Sequence, residues 1–81
     1  MAIIRDEYGN MISRTDGEHL RDVNGNWTGD MRGNRLYDTS GVYIGEFRGN
    51  HFYDSNGLRQ GEMRGNYFYD VYGNMKYRVD D

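Results

Sequence analysis

Large apolar side chains return along the chain neither every three to four residues nor by plain alternation, but at two fixed places in a period of sixteen. Counting from Met1 gives five units, residues 1–16, 17–32, 33–48, 49–64 and 65–80, with Asp81 left over. The fourth place is Ile4, Leu20, Leu36, Phe52 and Phe68 in turn, and the fifteenth is Thr15, Met31, Phe47, Met63 and Val79. Between them stand an invariant Asp at place six (Asp6, Asp22, Asp38, Asp54, Asp70) and an invariant Gly at place nine (Gly9, Gly25, Gly41, Gly57, Gly73). The stretch Gly49 to Arg64, GNHFYDSNGLRQGEMR, shows the unit most plainly, since GNRLYDTSGVYIGEFR precedes it and GNYFYDVYGN follows it. A period that fills a chain in this way implies an array of small units that bury their apolar places against one another.

The elements between the turns read as strands. Twelve Gly are spread through the chain and the apolar residues lack a 3.6-residue recurrence, which argues against helix throughout. There is no Pro, so every backbone N–H is available to a strand ladder. Each unit carries two turn signals. Asp-x-Asn-Gly and its relatives, as in Asp22–Gly25 and Asp54–Gly57, predict a type I turn followed by a left-handed Gly that forms a bulge. Gly-Asn, at Gly33-Asn34, Gly49-Asn50 and Gly65-Asn66, predicts a two-residue type II′ loop. Ten strands of four to six residues follow.

The two loops impose registers that conflict. Across Gly-Asn, Phe47 faces Phe52, Met63 faces Phe68 and Met31 faces Leu36, which joins places four and fifteen on one side. Across Asp-x-Asn-Gly, place four pairs with place twelve, which has the opposite parity to place fifteen along its strand. A kink or bulge at the intervening Gly29, Gly45 and Gly61 resolves the conflict and predicts separate hairpins turned relative to one another. Four such hairpins, near residues 10–22, 26–38, 42–54 and 58–70, leave both terminal strands unpaired. Their pairing would set Val79 against Ile4, Lys76 against Glu7 and Arg78 against Arg5, closing a ring of five hairpins about a pseudo-five-fold axis. An open solenoid capped by its irregular end units is the alternative.

The absence of Cys excludes disulfide staples and, with only two His, a Cys/His zinc site. Leu, Ile, Val and Phe are scarce, and Tyr, Trp and Met carry the remaining apolar load. A net charge of −3 with both signs interspersed gives no electrostatic footprint for nucleic acid or an anionic membrane. With no apolar run of transmembrane length and no signal-like N-terminus, a cytoplasmic location is expected.

The pattern G-N-x-[LF]-Y-D-x-x-G-x-x-x-G-E-[FM]-R resembles the small bacterial repeat proteins called β-flowers, whose short hairpins radiate around a pseudo-rotation axis. Tyr43-Ile44-Gly45-Glu46-Phe47 is also similar to part of a MORN repeat, and Tyr53-Asp54-Ser55-Asn56-Gly57 to part of a YD repeat, although both of those units are longer than sixteen residues. The β-flower resemblance implies a fold and no activity, so no functional residue is carried over from it.

Candidate chemistry is sparse. Asp22, Asn24 and Asn26 share the first three spacings of an EF-hand loop, but Trp27 and Gly33 stand where Gly and Glu are required. Each place-six Asp is expected to accept backbone N–H groups in its own turn instead. His19 and His51 are expected to be solvated strand residues without a carboxylate or hydroxyl beside them. Tyr37, Tyr53 and Tyr69 lie on the face opposite the apolar places and oppose Asp30, Glu46 and Glu62. With Tyr43, Trp27, Arg32, Arg48 and Arg64 they make a surface rich in the residue types that dominate protein interfaces. These features lead to a non-enzymatic structural or interaction module without cofactor or metal, expected as a homodimer. Binding of carbohydrate or another small ligand through the aromatic face is the alternative.

Overall fold

The turns are the most local elements of the fold, each set by hydrogen bonds within five residues. In the computed structural model, which describes residues 1–81, each Asp at place six accepts the N–H of the Gly three residues on and gives its own N–H to the carbonyl four residues on. Its Oδ1 accepts two further N–H groups, from Asn24 and Asn26 at Asp22, and from Asn56 and Leu58 at Asp54, all at 2.9 Å. The same pair of bonds recurs at Asp6, Asp38 and Asp70. The carboxylate therefore closes the turn from inside, and Gly57 completes it in the left-handed region (φ 82°). At the other loop Gly49 has φ 61° while no non-glycine residue has positive φ, which fits type II′ and excludes type I′.

Ten strands connect these turns: β1 (Ile3–Asp6), β2 (Met11–Asp16), β3 (His19–Asp22), β4 (Trp27–Arg32), β5 (Arg35–Tyr37), β6 (Tyr43–Arg48), β7 (His51–Asp54), β8 (Arg59–Arg64), β9 (Tyr67–Asp70) and β10 (Met75–Asp80). β5 is one residue shorter than expected. Every strand pairs antiparallel with its sequence neighbours, and β1 pairs with β10, so the sheet is a closed all-β barrel without helix. The terminal register is the one anticipated: Ile4 opposes Val79 and Arg5 opposes Arg78. Closure removes both free edges and replaces the open-solenoid alternative.

The register across Asp-x-Asn-Gly corrects the sequence reading. Place four opposes place thirteen, as Leu20 does Gly29, Leu36 does Gly45 and Phe52 does Gly61, while place five opposes place eleven. The residue left over is at place twelve: Thr28, Ile44 and Gln60 are the bulged residues. Gly29, Gly45 and Gly61 themselves do not have positive φ. Because the bulge is absorbed within one strand, the ladder runs on across both kinds of loop, and the hairpins are not separated as expected.

This bulge gives places four, thirteen and fifteen a common face. That face is concave: Phe47 and Phe68 meet edge-on with ring centroids 6.5 Å apart although two strands lie between β6 and β9. A flat sheet would separate those strands by about 14 Å. The barrel is shallow, 31 × 29 × 16 Å in extent, so every side chain at places four and fifteen is only half-buried. No hydrophobic side chain is fully buried, and the four buried residues are Gly29, Asp30, Gly45 and Gly61.

The glycines at place thirteen are required by space rather than by φ. A Cβ on Gly45 would strike the Tyr53 carbonyl oxygen and stand 2.7 Å from Phe52 Cζ; one on Gly61 would strike the Tyr69 carbonyl and stand 2.6 Å from Phe68 Cζ. Gly45→Ala is expected to lower stability by about 1–3 kcal/mol through overpacking. Adding Phe52→Leu should recover part of that loss, since it clears the ring and leaves the carbonyl. Urea denaturation checks both, and an unchanged midpoint for Gly45→Ala alone would show that the seam is not close-packed.

The turn carboxylates give a pH dependence. Backbone donation from Asn26 holds Asp22, and donation from Asn74 holds Asp70, below the ordinary value of 3.8. A carboxylate with a depressed folded pKa stabilises the fold above its unfolded pKa and loses that contribution as pH falls through the folded value. Denaturation midpoints should thus stay level near neutrality and decline below pH 3.8. Asp22→Asn, which keeps an acceptor oxygen but cannot titrate, should make the decline shallower; an equally steep decline would remove Asp22 from the cause.

Candidate functional site

The outer face of the barrel carries places three, five, eleven, fourteen and sixteen. Its chemistry is set where the end of one unit meets the start of the next across the Gly-Asn loop. Asp30 opposes Tyr37, Glu46 opposes Tyr53 and Glu62 opposes Tyr69, as the sequence predicts. Beside each pair the place-sixteen Arg folds over the Tyr ring: Arg32 on Tyr37 at 4.9 Å, Arg48 on Tyr53 at 4.8 Å, Arg64 on Tyr69 at 4.7 Å from guanidinium carbon to centroid. The same guanidiniums reach the acids, with Arg64 donating to Glu62 at 3.0 Å and Arg48 and Arg32 at 3.5 and 3.6 Å from Glu46 and Asp30. Each Arg remains more than half exposed and is held by a ring on one side and a carboxylate on the other.

The two remaining junctions use the same places with the charges exchanged. Arg14 and Arg78 stand at place fourteen, Asp16 and Asp80 at place sixteen, and Arg21 and Arg5 replace the Tyr. Arg21 Nε donates to Asp16 Oδ2 at 3.2 Å and Arg5 Nε to Asp80 Oδ2 at 3.0 Å. The Arg5 bond, with Arg78, keeps the Asp80 carboxyl below its usual range and ties the two terminal strands together. The outer wall thus divides into an aromatic arc over β4 to β9 and a charged arc over β10 and β1 to β3.

All eight residues singled out from the sequence lie on the aromatic arc. Trp27 is exposed, and its Nε1 donates to the Gly29 carbonyl at 3.0 Å and to Asp30 Oδ1 at 2.9 Å. Tyr43 donates its hydroxyl to Glu46 at 2.9 Å and leans on Tyr37 with centroids 5.9 Å apart; burial, with that hydrogen bond second, raises its pKa. What the sequence reading missed is the company of the histidines. His19 opposes Asp30, with Nδ1 2.7 Å from Oδ1, and His51 opposes Glu62, with Nε2 3.6 Å from Oε2. Both are solvent-accessible strand residues as expected, but the expectation that no carboxylate stands beside them fails, because the bulge at place twelve moves place fourteen opposite place three. Donation from Trp27, then from His19, depresses the Asp30 pKa, and donation from Arg64 does the same for Glu62.

Chemically, the arc offers ordered cations, ring edges, the buried Asp30 carboxylate and the half-buried carboxylates of Glu46 and Glu62. His19 and Asp30 form a hydrogen-bonded pair with Trp27 as the third member, and no hydroxyl or thiol is bonded to that pair. No group of three or more His, Asp or Glu side chains is arranged to hold a metal ion. No helix of the chain is long and apolar enough to cross a membrane.

No curated protein and no solved structure matches the chain. A family model described as a 4-fold beta flower protein matches residues 2–71. That match spans most of the sixteen-residue repeats and agrees with a closed all-β barrel whose strands alternate between two kinds of short turn. The chain belongs to the β-flower family.

Proposed function

We propose that the chain is a non-enzymatic interaction module whose working surface is the aromatic arc, and that its first partner is a second copy of itself. The observation that carries the reading is the stack of Arg on Tyr beside a carboxylate, repeated at three consecutive junctions. Arg, Tyr and Trp are the side chains that most often dominate binding energy, and prior ordering of a long side chain lowers the entropy lost on association. Rows of guanidinium and carboxylate alternate along the arc, so a two-fold axis brings each row against its opposite in the partner. The same reading takes the barrel as five hairpin units about a pseudo-five-fold axis, one unit more than the 4-fold description of the family.

Carbohydrate stacking on the arc has less support. A sugar needs an open ring face, and Tyr37, Tyr53 and Tyr69 each have a guanidinium over theirs. An enzymatic role has less again, since the His19–Asp30 pair is turned to Trp27 and to no nucleophile.

Sedimentation equilibrium across a concentration series tests the proposal. The expected result is a reversible dimer, weakened about tenfold or more by Tyr53→Ala, the size of effect seen at binding hot spots, and by Arg48→Glu, with the circular dichroism of both variants unchanged. A 9.5 kDa species at every soluble concentration, with a melting temperature independent of concentration, would overturn the dimer.

A further inference from the structure

The concave face holds an open cavity of about 590 Å³ on the side of the barrel formed by β5 to β10. Its apolar lining is Leu36, Phe47, Phe52, Phe68 and Tyr77. The rings are set at mixed angles: Phe47 to Phe52 at 59°, Phe47 to Phe68 at 87° and Phe68 to Tyr77 at 37°. A flat aromatic guest would meet ring edges on some sides and ring faces on others, the arrangements aromatic groups prefer. The volume lies within the range of small-molecule sites, roughly 300–1,000 Å³.

Two polar side chains complete the lining, Gln60 and Lys76, and both come from the bulged place twelve. That place is Ile12, Thr28 and Ile44 in the first three units. Tyr77 stands at place thirteen, which is Gly in the three central units. Place twelve has no fixed residue type in the repeat, and its polar side chains Gln60 and Lys76 meet the one aromatic residue at place thirteen, Tyr77, at a single cavity. Gln60 is oriented by donating to Asp54 Oδ2 at 3.0 Å. Lys76 is half exposed and ion-paired with Asp70, its ammonium 3.9 Å from Oδ2; at that distance no hydrogen bond forms, so its N–H donors remain available to a ligand carboxylate that shares the charge with Asp70. The cavity therefore pairs a ring-lined floor with a single ammonium at its polar edge.

We propose that this cavity binds a small aromatic carboxylate, the ring system lying among Phe47, Phe52, Phe68 and Tyr77 and the carboxylate accepting hydrogen bonds from Lys76 Nζ. The site is on the opposite face of the sheet from the aromatic arc, so it stands or falls independently of self-association through that arc. Specificity resides in the ammonium, because the apolar lining alone accepts a neutral ring equally well.

The test is an NMR titration of the full chain with 2-naphthoate and with its neutral analogue 2-naphthamide, following aromatic resonances. The expected result is saturable 1:1 binding that shifts Phe52, Phe68 and Tyr77, with naphthoate favoured by about tenfold, as for a hydrogen bond to a charged group. Lys76→Met, which keeps the length of the side chain and removes the charge, should abolish that preference while leaving naphthamide binding in place. Tyr77→Ser, the residue found at the same place in the first unit, should weaken both ligands. Four outcomes would overturn the proposal: no saturable shift, shifts confined to Trp27, Tyr37 and Tyr53, a naphthoate preference that survives Lys76→Met, or a dimer that buries Phe52 and Phe68 and shuts both probes out.

Discussion

The structure depends on a parity constraint within each sixteen-residue unit. A strand that leaves one hairpin with its apolar residues facing inward must enter the next with them still inward, and two hairpins of unlike loop length do not allow this unaided. The extra residue at place twelve restores the parity. Without it, places four and fifteen would face opposite sides of the sheet, and no concave apolar surface would form. The closed ladder, with Ile4 against Val79 in continuation of the same register, then follows from repeating one unit until its ends meet.

The bulge also determines what the inner face accepts. It sets place thirteen on the inner face, close to the place-four side chain of the next unit, so the two share one volume. Gly45 precedes Phe52 and Gly61 precedes Phe68, each ring occupying the space a Cβ would take. Ser13 is tolerated beside Leu20, and Tyr77 is accommodated where the next unit offers only Ile4. Small is matched with large around the ring, yet the barrel is too shallow to seal this layer from water. Cohesion thus rests on the closed backbone ladder and on the carboxylates that fix the turns. A fold of this kind tolerates changes along its rim and responds sharply to a methyl group at the glycine seam.

Much of this was legible because the signals are local. Asp and Gly at fixed offsets specify their turns through hydrogen bonds within five residues, and the apolar places four and fifteen specify one register directly. The terminal pairing was legible too, since the unpaired strands are copies of strands that pair elsewhere. The second register was not. A bulge leaves no residue type as its mark: Thr28, Ile44 and Gln60 share nothing but their place, and the neighbouring glycines are required by space and not by a special backbone conformation. The same one-residue shift sets the neighbours of His19 and His51, which the pattern alone does not specify. The outer arc was legible as composition, but the folding of Arg over Tyr depends on side-chain torsions that a register does not fix.

A repeat separates the demands of folding from those of recognition more cleanly than most chains do. Asp at place six and Gly at place nine are the same in all five units because every turn poses the same problem. Where units differ at one place, the difference is not explained by the turn or the ladder, which are shared. Places fourteen, sixteen and five exchange acid–Arg–Tyr for Arg–Asp–Arg at two adjacent junctions, and this makes an outer wall with two unlike sides. Place thirteen changes from Gly in the central units to Tyr77, beside Gln60 and Lys76 from the variable place twelve, on the flank of one cavity. Both departures break the equivalence of the units, which a surface must do if it is to present one site rather than five. The aromatic arc and the cavity draw on the same strands, β5 to β9, with alternate residues facing out and in.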